Sequence, residues 1–340
     1  MTVAMDPQVR QNNIVLVCLV TDKKYRKMGG DEGLKSVIKR RTDADVDARG
    51  KIFIGQVLVE DLLDSAGGSL NDNLFKVIKR DFGFNEDTRV ILIHKYSDYF
   101  KSFGISRDQV TKLRNWLCDC TFKVLDGPEK IEVLFSRVKT GLLVREMCRI
   151  QSFESLGLQW PEFELKWTGD ELEYPVIVKP VDACANDEAH WMTLLNKKPN
   201  SFDSFDGCLV QKFHEHFGVL YKVYVIGESI EIVARPSITA RESGPILRFN
   251  THKFKAAEGE LDEEKLIEAM RRLEGVRDLI EEFAKDLKNK LELTWFGIDV
   301  IIPEEINREG LKAAVIDVNY MPGYDGIKDL SEKLIKAILE

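Results

Sequence analysis

The sequence has no apolar run long enough to span a bilayer; its longest, such as Ile14 to Val20, has the length of a buried strand. No transmembrane helix and no membrane partner are expected. The opening residues, Met1-Thr-Val-Ala-Met-Asp-Pro, have neither the basic n-region nor the continuous apolar stretch of a secretory signal, so a cytoplasmic location is expected. Cysteine is sparse. The six residues (Cys18, Cys118, Cys120, Cys148, Cys184, Cys208) are scattered, and none forms a C-x-x-C pair with zinc spacing, so they read as free thiols of a reducing compartment. Cys118 and Cys120, flanked by Trp116, Leu117 and Phe122, read as a packed helix end. Excess positive charge is also missing. A net charge of -8 argues against a broad nucleic-acid-binding face but permits an anionic small molecule, because a few cations converging on one pocket set the local field. A Walker loop, a dinucleotide glycine fingerprint and an internal repeat are all absent.

What is present is core. Hydrophobic residues make up 44% of 340, more than one core comfortably holds, so two or three units are expected. Strand and helix patterns alternate at Ile14–Val20, Glu32–Arg40, Val90–His94 and Arg107–Cys118, an α/β signature. The stretch Arg40 to Arg49 is charged and Gly67-Gly68-Ser69 is a breaker, so a surface excursion is expected there. A boundary falls near Asp126-Gly127-Pro128, followed by a helical run from Lys130 to Arg149. Strands are expected at Tyr174–Lys179 and Cys208–Phe213. A hairpin follows, Tyr221–Ile226 and Ser229–Arg235, closed by Gly227-Glu228, whose register sets Lys222 opposite Val233 with Arg235 on the same face. From Leu266 to Leu291 apolar residues recur at helical spacing with a break at Gly275. Strands Trp295–Ile302 and Ala313–Asn319 close the pattern.

Two carboxylates carry the sharpest chemical signal. Asp299 and Asp317 each interrupt an apolar strand, where an isolated charge is costly without a cation or a donor network. Alternation puts Asp317 and Asn319 on one face. Two carboxylates and an amide oxygen are hard ligands of the kind Mg²⁺ takes, whereas either aspartate alone is as readily a turn cap or a lysine's partner. Lys179, ending a buried strand, can present a point charge to phosphates.

In chain order, Lys179, Val210-Gln211-x-Phe213, the Lys222 to Arg235 hairpin, Phe-Gly-Ile-Asp299 and Ile-Asp317-Val-Asn319 resemble an ATP-grasp enzyme. More narrowly, Leu220-Tyr-Lys-Val-Tyr-Val-Ile-Gly-Glu-Ser229, Ala234-Arg-Pro-Ser237 and Asp317-Val-Asn-Tyr-Met-Pro-Gly-Tyr324 are similar to the inositol 1,3,4-trisphosphate 5/6-kinase family, also called inositol-tetrakisphosphate 1-kinases. The resemblance is strong from about Arg137 to Gly326 and fainter at Thr21-Asp-Lys-Lys24 and Ile93-His-Lys95; residues 40 to 75 match nothing in it.

The resemblance implies an α/β (α+β) ATP-grasp fold with a Rossmann-like pre-ATP-grasp domain at 1–128, a lid at 129–213 and a metal-bearing domain at 214–340, acting as a monomer. It implies an ATP- and Mg-dependent kinase acting on an inositol polyphosphate. Nucleotide contacts fall on Arg137, Lys179, Gln211, Ser237 and Thr251; metal ligands on Asp299, Asp317 and Asn319; substrate contacts on Lys24, Lys95, His190, Lys222, Arg235, Asn319 and Gly323. Lys222 and Asp317 would be catalytic. His94 and the pair His214 and His216 are expected to be structural. Where the family's lid loop carries a glycine, this chain has Cys184-Ala185-Asn186-Asp187-Glu188, and the added acids point to a different or less phosphorylated inositol. Two rival readings stand beside it: a carboxylate-amine ligase, which shares the nucleotide site but usually has glutamate at the place of Asp317, and, from the altered lid loop, a low-turnover inositol polyphosphate-binding protein.

Overall fold

The computed structural model describes residues 14–44, 52–63, 69–82, 88–101, 105–184, 187–200, 205–241, 243–251, 253, 261–304 and 310–339. Ala185, Gly67-Gly68 and residues 45–49 of the charged stretch at 40–49 lie outside these. The chain folds as two compact units, Met1–Pro128 with Gly323–Glu340, and Glu129–Pro322. The tail 323–340, expected with the last domain, therefore belongs with the first unit.

In the first unit, β1 (Ile14–Leu19), β2 (Ile52–Gln56), β3 (Arg89–His94) and β4 (Lys123–Leu125) form a parallel sheet in the order β2-β1-β3-β4. Residues Val15 to Val20 are fully buried, as a continuous apolar run in a parallel sheet covered on both faces should be. The connecting helices are α1 (Asp22–Lys27), α2 (Gly30–Ala44), α3 (Val59–Leu63), α4 (Leu70–Phe82) and α5 (Arg107–Asp119). Ser106 and Gln109 form a capping box at the start of α5, and Cys120 caps its end, so the Cys118 and Cys120 segment is the packed helix end its apolar neighbours foretold. The C-terminal helix, Leu330–Leu339, packs on α2 and buries Leu334, Ile335 and Ile338. Strand order reverses between β1 and β3. That switch point is where open parallel sheets present ligand-binding residues beyond their strand ends.

The second unit contains two five-stranded sheets. The helical run expected from Lys130 is broken into α6 (Pro128–Ile131), a 3₁₀ turn at Glu132–Phe135 and α7 (Arg137–Ile150). The break falls at Ser136, whose extended backbone lets its hydroxyl accept from the Lys139 N–H and cap α7. After β5 (Leu158–Gln159) come β6 (Phe163–Glu164), β7 (Val176–Pro180), β8 (Trp191–Leu195) and β9 (Cys208–Lys212), then the hairpin of β10 (Val219–Ile226) and β11 (Ser229–Pro236), and β12 (Ile246–Asn250). Helices α8 (Glu263–Glu274) and α9 (Arg277–Leu291) break at Gly275, and β13 (Trp295–Ile301) and β14 (Ala313–Tyr320) finish the unit.

The first of these sheets has the order β12-β8-β7-β9-β6 and the second β11-β10-β13-β14-β5. Strand β12 lies beyond residue 213 yet joins the lid sheet, so the division expected at 213 does not separate the two sheets. Its Leu247 and Phe249 pack with Ile177, Leu194, Phe213 and Ile238, which ties it there. In the second sheet β10 is buried along its whole length, and α9 covers it with Ile280, Phe283, Ala284 and Leu287.

Candidate functional site

Strand β10 is a central strand of near-continuous apolar character, and Lys222 interrupts it. Its cross-strand neighbour on β11 is Val233, as the turn at Gly227-Glu228 dictates, and Arg235 follows on the same face. On the other side Lys222 pairs with Asp299, and Asp299 with Asp317. A row Lys222, Asp299, Asp317 thus runs across three strands, and a bulge between Asp299 and Val300 ends its regular pairing. Lys222 Nζ lies 2.5 Å from Asp299 Oδ1. Burial works against this ammonium, but Asp299 outweighs it and holds the Lys222 pKa above the ordinary lysine value. Asp317 Oδ1 accepts from the Val318 N–H at 3.1 Å, and Asn319 is cross-strand from Gly297.

Lys179 approaches this row from the lid sheet. Its ammonium donates to Gln211 Oε1 at 2.7 Å and to the Ile316 carbonyl at 3.0 Å, the residue before Asp317. Burial pulls its pKa down to about 8, opposed by Asp317. Gln211 Nε2 is buried without a partner, an orphaned donor beside a lysine. Arg137 is buried as well, and its guanidinium donates to the carbonyls of Pro180 (2.7 Å), Asp182 (3.1 Å) and Ala189 (3.1 Å). Most of its donors are spent on holding the chain from β7 to the 3₁₀ turn Asp187–His190; its Nε is buried with no partner. His190 ends that turn, half-buried.

Ser237 follows β11, and its Oγ lies 2.8 Å from Nε2 of the buried His216. Thr251 is half-buried directly after β12. In the first unit, Lys24 in α1 and Lys95 follow the two strands of the switch point, β1 and β3. Lys24 is 6% exposed, and burial together with Lys95 and Lys27 pulls its pKa well down, with Asp98 opposing. Lys95 pairs with Asp98 at 3.4 Å. Gly323 is beside Lys27: a Cβ there would stand 3.1 Å from the Lys27 Nζ. Lys27 had no signal of its own in the sequence, and neither did the bond from His216 to Ser237; both depend on segments folded together from a distance.

Among the described residues no three His, Cys, Asp or Glu side chains converge on one point. Asp299 and Asp317 stand cross-strand and Asn319 follows on the face of Asp317; two carboxylates and an amide oxygen are hard donors of the kind a divalent ion such as Mg²⁺ takes. No helix among the described residues is long and apolar enough to cross a membrane.

Residues 163–340 match the family model described as inositol 1,3,4-trisphosphate 5/6-kinase ATP-grasp domain. An inositol-tetrakisphosphate 1-kinase of Xenopus laevis is 30% identical over 259 residues, 73% of this chain and 61% of that protein. One from Danio rerio is 31% identical over 235 residues, 63% of this chain and 57% of that protein. The chain thus spans less than two thirds of the length of these relatives. Among solved structures, a RiPP-associated ATP-grasp ligase of Chryseobacterium gregarium superposes with a TM-score of 0.53 at 11% identity, covering 96% of each chain. The macrocyclase MdnC of Microcystis aeruginosa gives 0.52 at 11% identity, over 96% of this chain and 99% of that one. At such identities the likeness shows the fold, which is ATP-grasp.

Proposed function

The chain belongs to the inositol 1,3,4-trisphosphate 5/6-kinase family, whose ATP-grasp domain matches residues 163–340, and from that premise we propose that it transfers the γ-phosphate of ATP to a hydroxyl of an inositol polyphosphate. The row Lys222, Asp299, Asp317 is the observation that carries this reading, since it sets a buried ammonium beside a carboxylate pair on one sheet face. Asp299, Asp317 and Asn319 would hold Mg²⁺, which when bound neutralises phosphate charge. Lys179 and the orphaned amide of Gln211 would meet the nucleotide, with Ser237 and Thr251 as further contacts. Arg137 adds to its nucleotide contact a positioning share, because it pins the loop that carries His190.

Lys222 would stabilise charge on the transferring phosphoryl group, and its link to Asp299 keeps it protonated for that task. Lys24, Lys95, His190, Lys222, Arg235, Asn319 and the backbone of Gly323 would contact the inositol phosphate. No general base stands out, and a loose phosphoryl-transfer transition state needs little base assistance; Asp317 would be the candidate to accept the hydroxyl proton. On this reading the kinase would act as a cytoplasmic monomer.

The test is incubation with ATP, Mg²⁺ and a panel of inositol phosphates, with products resolved by ring position. ADP formation that depends on the inositol phosphate and matches a new phosphorylated product is expected. Trapping of an acyl phosphate by hydroxylamine would instead identify a carboxylate-amine ligase, and tight binding without ADP formation a binding protein.

A further inference from the structure

His216 lies outside every group assigned above, yet it is 3% exposed and bonded through both ring nitrogens. Its Nδ1 is 2.7 Å from the His214 carbonyl, and its Nε2 is 2.8 Å from Ser237 Oγ. A carbonyl oxygen can only accept, so Nδ1 carries a hydrogen. A neutral ring has one N–H, which leaves Nε2 bare. Burial keeps the ring neutral by pulling its pKa down to about 4. A bare Nε2 accepts, and the hydrogen in that bond comes from the Ser237 hydroxyl.

We propose that His216 is a positioning residue that commits the Ser237 hydroxyl hydrogen inward, so that the half-buried Ser237 oxygen meets the nucleotide as an acceptor alone. The proposal rests on Ser237 being a nucleotide contact. Its consequence is selectivity for a donor on the nucleotide, a ribose hydroxyl or the adenine amine, and against a phosphate oxygen at that point. The backbone reinforces the placement: Ser237 N–H donates to the Gly218 carbonyl at 2.7 Å, and a Cβ on Gly218 would stand 3.2 Å from the Ser237 carbonyl, so the two segments approach as closely as glycine permits.

The direct test is nitrogen-15 NMR of the full chain labelled at histidine, in which His216 should be the Nδ1–H tautomer; an Nε2–H tautomer overturns the proposal without any variant. Calorimetric ADP binding provides the second arm. His216→Phe and Ser237→Ala should each weaken ADP by about three- to tenfold, and the double variant by no more than either. His216→Gln, which restores an acceptor, should recover part of the loss. In turnover, KM for ATP should rise with kcat and the KM for inositol phosphate little changed. Loss in Ser237→Ala but not in His216→Phe overturns the proposal and leaves Ser237 a nucleotide contact; loss in neither removes that contact as well. Repeating Ser237→Ala with 2′-deoxy-ADP, 3′-deoxy-ADP and the diphosphate of purine riboside identifies the donor, because the variant should cost nothing against the analogue that lacks it. A full Ser237→Ala effect with all three analogues contradicts the acceptor-only assignment.

Discussion

A buried charge answers to its neighbours, as two lysines among the described residues show. Lys222 meets Asp299 at 2.5 Å, whereas Lys24 is crowded by two other lysines and has its ammonium disfavoured. Histidine follows the same rule in reverse. His94 Nε2 donates to the Asp126 carbonyl at 2.9 Å, and burial pulls its pKa from 6.5 to about 4, as burial does for His216. The unfolded chain then binds protons that the fold excludes, so stability is present above pH 6.5 and is lost as pH falls from 6.5 toward 4. Each of the two histidines contributes up to about 3 kcal/mol to that loss. Urea midpoints should drop between pH 7 and 5, and less steeply in His94→Gln; a midpoint unchanged over this range would refute the assignment.

Single elements show why some of the site was readable and some was not. The register of the β10–β11 hairpin was legible because Gly227-Glu228 fixes it, and the acids of β13 and β14 because a charge in an apolar strand stands out locally. The short β2 and α3, five residues each, left too little pattern to read. The partners of Arg137 and Lys179 were equally hidden, since the Ile316 carbonyl is 137 residues from Lys179 and backbone acceptors leave no mark in sequence. Gly297 is informative at this scale. A Cβ there would stand 2.8 Å from Pro322 Cγ, beside its cross-strand partner Asn319. Gly297→Ala should therefore destabilise by about 1–3 kcal/mol and lower kcat, because the proline ring must move. The control is Gly275→Ala, where the backbone is right-handed and the nearest atom is 3.5 Å away. That variant should be neutral or slightly stabilising; equal losses in thermal denaturation would contradict the close-approach account.

For the molecule as a whole, the chain leaves its first unit, builds the second, and returns for a final helix. Leu334, Ile335 and Ile338 are buried on that helix, and Ser331 Oγ donates to the Met28 carbonyl at 3.2 Å. Removing residues 323–340 should cost the first unit on the order of 5 kcal/mol of burial, seen as lost hydrogen-exchange protection in β1 and β3; unchanged protection would show the helix to be dispensable. Nothing in the local sequence marked this return, because the helix reads the same whichever unit it covers. The ATP-grasp fold and the carboxylate pair at Asp299 and Asp317 were legible; the placing of the last 18 residues, Gly323 to Glu340, was not. The measurement that bears most directly on the whole account is transfer of labelled γ-phosphate from ATP to an inositol polyphosphate by the wild-type chain and by Asp317→Asn, with ADP binding measured on both. The wild type should label the inositol ring, and the variant should lose about a hundredfold or more of that rate while binding ADP within about tenfold of wild type. Near-normal transfer by Asp317→Asn, or no transfer by the wild type to any inositol phosphate, would contradict it.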